Sequence, residues 1–345
     1  MTDIAETPAR GLPLGAPRRR DSAFGRAPGY GKAQAYDRAP AYGKAQAYGK
    51  AQAYGLAGAR PALPGFPAWP QPWPKVSVVI PTLNEARNLP HVFAELPPGL
   101  HEVIIVDGNS VDDTVATARR LRPDVRIVRQ NRCGKGNALA CGFAAATGDI
   151  IAMVDADGSA DPAEIPQFVQ ALLDGADFAK GTRFDGGGGS SDITRLRRLG
   201  NRVLSGLVNT LCRTEYSDLC YGYNAFWRRH VPVFGLYAES DVPVGSGTRL
   251  WGDGFEVETL INIRVAQAGL KVKEVASFEH SRIHGVSNLN ATKDGWRVLR
   301  TIFAERYYHH QRQKAQRQKA QREDAFEGQL HGQSEMTRES VTRTP

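Results

Sequence analysis

Between residues 75 and 309 short apolar runs alternate with stretches of helical spacing. Val76–Ile80 is a compact apolar run closed by Pro81. The next segment, Glu85–Leu96 with Asn84 as its cap, reads as a helix in spite of Pro90. Val103–Val106 is uninterruptedly apolar and ends at Asp107, after which "SVDDTVATARRL" supplies cap residues and a helical repeat. The run Val125–Val128, a helix over Gly136–Ala146 and the run Ile150–Val154 continue the alternation, and a further amphipathic helix spans Glu256–Ala268. Apolar strands separated by helices of this length predict an α/β fold with a mostly parallel sheet covered on both faces. In such sheets ligands bind at the carboxyl ends of the strands.

Three of those ends carry polar clusters: "IPTLNEA" after the first strand, "VDGNSVDDT" after the second and "VDADGSADP" after the fourth. Asp155 and Asp157, two apart in an extended segment, project to one side. Alone they fit either a shared cation or an Asx turn leading into Pro162, and Asp161 fits the turn. Asp107 fits either a helix cap or an acceptor for a ligand's hydrogen bonds; Asp112 is better placed to cap. Lys135, in "NRCGKGNALACG", is either a solvated lysine at a helix start or a phosphate contact. Gly134 and Gly136 lack the third glycine of a dinucleotide fingerprint, and there is no GKS or GKT, so a P-loop is unsupported.

The second half holds two basic amphipathic stretches. "ITRLRRLGNRVLSGLVNTL" aligns Ile193, Leu196, Leu199, Val203, Leu207 and Leu211, flanked by Arg195, Arg198 and Arg202. "DGWRVLRTIFAERYY" brings Trp296, Phe303, Tyr307 and Tyr308 beside Arg297, Arg300 and Arg306. Each fits a helix packed on the domain or one lying in a lipid headgroup layer. Two together favour peripheral contact with an anionic membrane.

Charge alters this picture only once it is located. The chain has 345 residues and a formal charge of +8, but residues 1–74 hold 10 Lys/Arg against 4 Asp/Glu and residues 310–345 hold 7 against 5. The interval 75–309 is therefore neutral, with 27 of each sign, which argues against nucleic acid as a partner. Tyr30, Tyr36, Tyr42, Tyr48 and Tyr54 open a hexapeptide repeat, succeeded by a Pro-rich hinge. With few large aliphatics this arm, 1–74, reads as disordered, and 310–345 as a basic helical extension and tail. Four cysteines without CxxC pairing indicate neither a disulfide framework nor a zinc site and fit a reducing cytoplasm. No run suits a membrane span, and no signal-peptide pattern opens the chain.

"VSVVIPTLNEARNL", "EVIIVDGNSVDDT", "GKGNALACGFAAATGDIIAMVDADGSADP" and "KGTRF", in this order, resemble the family 2 glycosyltransferases. The resemblance runs over 75–309 and is strongest to their dolichol-phosphate mannosyltransferase branch, the polyprenyl-phosphate sugar transferases. It implies a GT-A fold, a nucleotide-sugar donor, Pro81, Asn84 and Glu85 at the nucleotide pocket, Asp107 at the base, and Asp155-x-Asp157 as the metal-binding acidic motif. Magnesium or manganese, hard ions that prefer oxygen, would neutralise the departing diphosphate there. "SDLCYGYNAFWRR" resembles the branch's D-x-x-x-G-x-x-A-F segment through Asp218 and Gly222. "EHSRIHGVSNL" resembles its R-x-x-G-x-S-K-L loop through Arg282, Gly285 and Ser287. Asn288 and Asn224 stand where a lysine and an arginine are expected.

The resulting expectation is an inverting, metal-dependent transferase that moves a sugar from a GDP- or UDP-sugar to a polyprenyl phosphate at the cytoplasmic face of a membrane. Arg183 and Arg198 would hold the acceptor phosphate. A hydroxyl acceptor would instead need a base, for which Asp218, Asp253 and Glu256 are candidates. A non-catalytic adaptor is the alternative of another class, and intact Asp107, Asp155 and Asp157 speak against it.

Overall fold

A computed structural model describes residues 73–238, 250–285, 295–314 and 317–318. The repeat arm, Ser287, Asn288 and most of the C-terminal tail lie outside the described residues. Among the described residues nine strands form, in chain order β1 (Val76–Thr82), β2 (Glu102–Asp107), β3 (Arg126–Arg129), β4 (Ile150–Met153), β5 (Phe178–Thr182), β6 (Gly189–Ser190), β7 (Asn224–Trp227), β8 (Val272–Ala276) and β9 (Phe278–Glu279). Seven build one sheet in the order β3-β2-β1-β4-β7-β5-β8. All its neighbours are parallel except β7, which runs antiparallel to both β4 and β5. The helices are α1 (Leu89–Ala94), α2 (Thr114–Leu121), α3 (Lys135–Ala145), α4 (Ile165–Leu173), α5 (Arg195–Cys212), α6 (Val231–Phe234), α7 (Val257–Gln267) and α8, over 295–314.

The alternation of side chains along the strands divides the core into two layers. Val76, Val78 and Ile80 of β1 pack with Leu89, Phe93, Phe168 and Val169 on one face. Val79, with Ile104 and Val106 of β2, packs on the other against Leu139, Phe143, Val257 and Ile261. The outer strands carry charge at their ends or centres, Arg126 and Arg129 on β3 and Lys273 and Glu274 on β8, as suits exposed sheet edges. A third cluster joins α5, α7 and α8 through Val208, Ile263, Val298 and Ile302.

Helix α1 is shorter than its sequence spacing predicts, and Asn84 is no cap. Its φ of 59° places it in the left-handed region, where its side chain accepts from Val111 N at 2.8 Å and its own N–H donates to Ser110 Oγ at 2.9 Å. The chain therefore turns before it can coil, and helix begins only where Pro90 sits in the first turn, the place that tolerates a missing N–H. The N-cap of α2 is Asp113, without a side-chain cap bond, and Asp112, expected as the cap, lies one residue before it and accepts from Thr114 N at 3.0 Å.

On α5 the buried positions are Asn201, Ser205 and Val208. Leu196 and Val203 of the apolar stripe are 65% and 62% exposed. The polar residues face inward because an irregular segment needs them: Asn201 Oδ1 accepts from Cys220 N at 3.1 Å, and Ser205 Oγ accepts from Leu219 N at 3.1 Å.

Helix α3 lies on the sheet at a glycine. A Cβ on Gly142 would stand 2.3 Å from Val79 Cγ1 and 2.9 Å from Val106 Cγ2. Gly142→Ala gains up to about 1 kcal/mol of helix propensity and loses about 1–3 kcal/mol to overpacking. Urea denaturation should show a net loss; a stabilised variant would mean that α3 shifts freely on β1 and β2.

Candidate active site

Parallel pairing brings the polar strand ends together. Thr82 of β1 stands opposite Asp107 of β2, and Val79 opposite Met153 of β4, so the segments after β1, β2 and β4 leave one edge of the sheet. There they border a cavity of about 780 Å³ lined by Pro81, Glu85, Lys135, Asp155, Asp157 and Arg282 among others. The β1 and β2 exits are stitched to each other: Gly108 N donates to Thr82 O at 2.8 Å, and Glu85 N to Thr114 Oγ1 at 2.9 Å. This fixes Glu85 at the rim, where Asn88 Nδ2 donates to its carboxylate at 2.5 Å.

The acidic pair carries its own counter-charges. Lys135 Nζ lies 2.7 Å from Asp155 Oδ1 and 2.7 Å from Glu258 Oε1. Burial works to lower the Lys135 pKa, but the two carboxylates outweigh it and hold the amine protonated, above the usual lysine range. Asp157 is 2.7 Å from Arg282, and its other oxygen accepts from Ser159 N at 2.9 Å. Backbone bonds from His280 N to Ser159 O and from Ile283 N to Asp157 O lay the Arg282 segment along the acidic loop. Gly158, at φ 76°, makes the approach possible, since a Cβ there would meet Ile283 at 2.6 Å. Burial, then repulsion from Asp157 and Asp155, raises the Glu85 pKa against the lowering effect of Asn88. Asp155 and Asp157 thus act on Glu85 across the cavity.

Other expected residues are placed differently. Asp107 is buried at the end of β2 and accepts from Ser110 N at 3.2 Å; Gly108, its neighbour, lines the cavity. Asp161 accepts from Ala163 N and starts the short helix at Pro162, as the turn reading expects. Arg198 faces a second cavity of about 910 Å³ between α5 and the Tyr216–Ser217 segment, with Arg195, Arg202, Leu199 and Phe184, and its guanidinium stacks 5.7 Å over the Phe184 ring.

Arg183 and Asp218 correct the expectation drawn for them. Arg183 is buried and bidentate to Asp218, at 2.7 and 3.0 Å, while its remaining amino group binds both oxygens of Glu279 at 3.0 Å. Two carboxylates therefore engage all three guanidinium nitrogens, so Arg183, though it borders the cavity, presents no free fork to an acceptor phosphate. Asp218 is fully buried in that pair, which removes it as a base. Asp253 is likewise held, bidentate to Arg132 at 2.8 and 2.9 Å.

Sequence reasoning missed Glu258 and Glu279, both on the cavity wall. Glu258 had one signal, an acid among Val257, Leu260 and Ile261 at positions that α7 buries; Glu279 had none, because its partner Arg183 lies 96 residues away.

The model of Glycosyl transferase family 2 matches residues 77–232. An uncharacterised glycosyltransferase of Mycobacterium tuberculosis is 32% identical over 232 residues, covering 65% of this chain and 97% of that protein. A dolichol-phosphate mannosyltransferase of Pyrococcus furiosus is 36% identical over 236 residues, covering 66% of this chain and 63% of that protein. Among solved structures, glucosyl-3-phosphoglycerate synthase from Mycobacterium tuberculosis, in complex with Mn2+, UDP and phosphoglyceric acid, superposes with a TM-score of 0.52 at 23% identity. That match covers 70% of this chain and 84% of the other, and it supports the fold.

If Arg183 is structural, removing its charge leaves two buried acids, Asp218 and Glu279, without the cation that pairs them. Arg183→Met should lower stability by about 3–5 kcal/mol in chemical denaturation. Arg183→Met combined with Asp218→Leu should recover part of the loss. Unchanged stability in the single variant would return Arg183 to the list of ligand contacts.

Proposed function

Because this chain belongs to the family 2 glycosyltransferases, we propose that it transfers a sugar from a nucleotide-diphospho-sugar to a polyprenyl phosphate at an anionic membrane surface. Transfer proceeds by single displacement with inversion at the anomeric carbon, supported by a divalent cation. The observation that carries this reading is the Asp155-x-Asp157 pair at the β4 exit, flanked by Lys135 and Arg282 in one cavity.

The residues suit a hard ion bound together with its substrate. Among the described residues no three His, Cys, Asp or Glu side chains form a ready cage. Two carboxylates at a cavity wall match magnesium or manganese, which complete their shells with phosphate oxygens and water. Such an ion, held by Asp155 and Asp157, would neutralise charge on the leaving nucleoside diphosphate. Lys135 and Arg282 add fixed positive charge beside it, and Pro81, Glu85 and Gly108 form the wall nearest the β1 and β2 exits, where we place the nucleoside. The donor base remains uracil or guanine under this reading, and Ser287, outside the described residues, keeps the donor-binding role that the resemblance implies.

The acceptor assignment rests on α5 and α8. Arg195, Arg198 and Arg202 line one cavity together with Leu199 and Phe184, a cationic and apolar combination suited to a phosphate on a hydrocarbon chain. Arg198 takes over the phosphate role that Arg183 cannot fill. Leu196, Leu199 and Val203 on α5 and Trp296, Phe303, Tyr307 and Tyr308 on α8 are exposed, as in helices that sit among headgroups. No helix among the described residues is long and apolar enough to cross a membrane. The exposed apolar and aromatic residues of α5 and α8 fit peripheral contact with a membrane, whose cytoplasmic face is part of this proposal. The Pyrococcus relative's name gives a lipid phosphate as its acceptor. A phosphate nucleophile is already anionic at pH 7, so the protein's task is to position it and offset its charge.

One observation favours a second reading, a hydroxyl acceptor. Glu256 lines the donor cavity with its Oε2 buried and without a hydrogen-bond partner, 3.9 Å from Arg297, and a carboxylate so placed can serve as a base.

The test is transfer from a panel of UDP- and GDP-sugars with manganese, offered polyprenyl phosphate in anionic vesicles or a water-soluble alcohol. Organic-extractable product, lost when Arg195, Arg198 and Arg202 are reversed to Glu and weakened by salt, is the expected result. Equal transfer to the alcohol, without vesicle binding at low salt, would overturn the lipid acceptor and favour the Glu256 reading.

A further inference from the structure

The transfer chemistry makes no use of Glu305, although this carboxylate on α8 is fully buried. It accepts from Arg264 at 2.8 and 2.9 Å and from the Trp251 indole N–H at 3.0 Å, and Arg312 approaches to 3.5 Å. Arg264 is fixed in turn, donating to the carbonyls of Phe234 and Gly235. Helix α8 grips Trp251 a second time, with Arg300 lying 5.9 Å over its ring. Two separate contacts on one indole exceed what is needed to shield a side chain that is still about one-third exposed.

The turn immediately after Trp251 explains the grip. Gly252-Asp253-Gly254 abuts Gly134-Lys135-Gly136 backbone to backbone. Gly136 N donates to Asp253 O at 2.9 Å, a Cβ on Gly136 would lie 1.7 Å from Gly252 O, and one on Gly134 would lie 2.1 Å from Asp253 O. The Asp253 carboxylate locks the same turn to Arg132, three residues before Lys135. Contacts this close leave no slack, so a shift of 252–254 moves 134–136 with it. Lys135, at the middle of that segment, holds Asp155.

We propose that Trp251 is a positioning residue of the donor site: α8 fixes its indole, and the glycine-flanked turn behind it sets where the Lys135 ammonium stands against Asp155. This rests on the reading of Lys135 and Asp155 as donor-site groups. It assigns α8, whose Val298 lines the same cavity, a part in donor binding that its own side chains do not perform by contact with the reacting atoms.

The test uses the full chain and the variants Trp251→Phe, which keeps a ring and loses the N–H, and Glu305→Gln. Acetylation of Lys135 by acetic anhydride is monitored by mass spectrometry, with exposed Lys75 as the internal control; UDP affinity in manganese is measured by calorimetry, and cooperative thermal unfolding checks the fold. Lys135 should label about two- to tenfold faster in Trp251→Phe with Lys75 unchanged, and UDP should bind more weakly by a similar factor, the range expected of residues within one network. In a Lys135→Met background the same substitution should leave UDP affinity unaltered. Unchanged Lys135 labelling in folded Trp251→Phe overturns the proposal, as does full additivity with Lys135→Met. If Glu305→Gln fails to fold, Trp251→Phe decides alone. Where the wild type binds GDP rather than UDP, GDP replaces UDP in each titration; should it bind neither, the donor reading fails, while Lys135 labelling still decides the positioning role.

Discussion

The Lys135 ammonium stands 2.7 Å from Asp155 and 2.7 Å from Glu258, and this three-charge contact ties together the exit of β4, the first residue of α3 and the first turn of α7. Three elements distant in sequence can bring their ends to one point only because a single cation offsets two carboxylates, one of them buried. An ammonium facing one acid at this depth would be easily replaced by water; one facing two is held, and stays protonated. The fixed positive charge then lies beside Asp155 whatever else enters the cavity. That arrangement suits a site built to receive a diphosphate, where preorganised charge is worth more than charge recruited on binding.

The same device recurs where the chain is irregular. Arg183 joins Asp218 to Glu279, Arg132 joins Asp253 to the carbonyl of Tyr237, and Arg264 joins Glu305 to the carbonyls of Phe234 and Gly235. Each buried guanidinium clamps a loop or helix near the cavity to the sheet or its covering helices. The planar fork of arginine serves here because several acceptors must be satisfied from fixed directions at once. Buried pairs of this kind add little to stability when compared with apolar packing, yet removing one partner is expensive. They fix geometry, and the cavity's shape is what they fix.

Much of the sheet was legible because β1, β2 and β4 are apolar runs ending in polar clusters, and their parallel register brought Glu85, Asp155 and Asp157 to one edge as the motifs implied. The helix after β1 was misjudged because a left-handed Asn84 cannot be seen in periodicity, and the weight of Pro90 depends on where the first turn falls. Strands β5 and β7 carry Lys180 and Asn224 at buried positions, which breaks the apolar pattern a sequence reading looks for. Arg183 and Asp218 were assigned to chemistry because both lie in motif segments. Their mutual pairing across 35 residues, and the third member Glu279, exist only in three dimensions. The α5 stripe was read as one apolar face, but it divides: Leu207 and Leu211 pack against the third cluster, Leu196, Leu199 and Val203 are exposed, and Asn201 and Ser205 face the domain because the backbone of 217–220 had to be satisfied.

The central claim is that Asp155 and Asp157 receive the donor diphosphate through a divalent cation. Calorimetric titration of UDP and GDP into the protein, with manganese and with EDTA, tests it most directly when run beside folded Asp157→Asn. The account predicts that one of the two nucleotides binds with manganese, and that this binding is lost both on chelation and in the variant. Equal affinity with EDTA, or in Asp157→Asn with manganese, would contradict it.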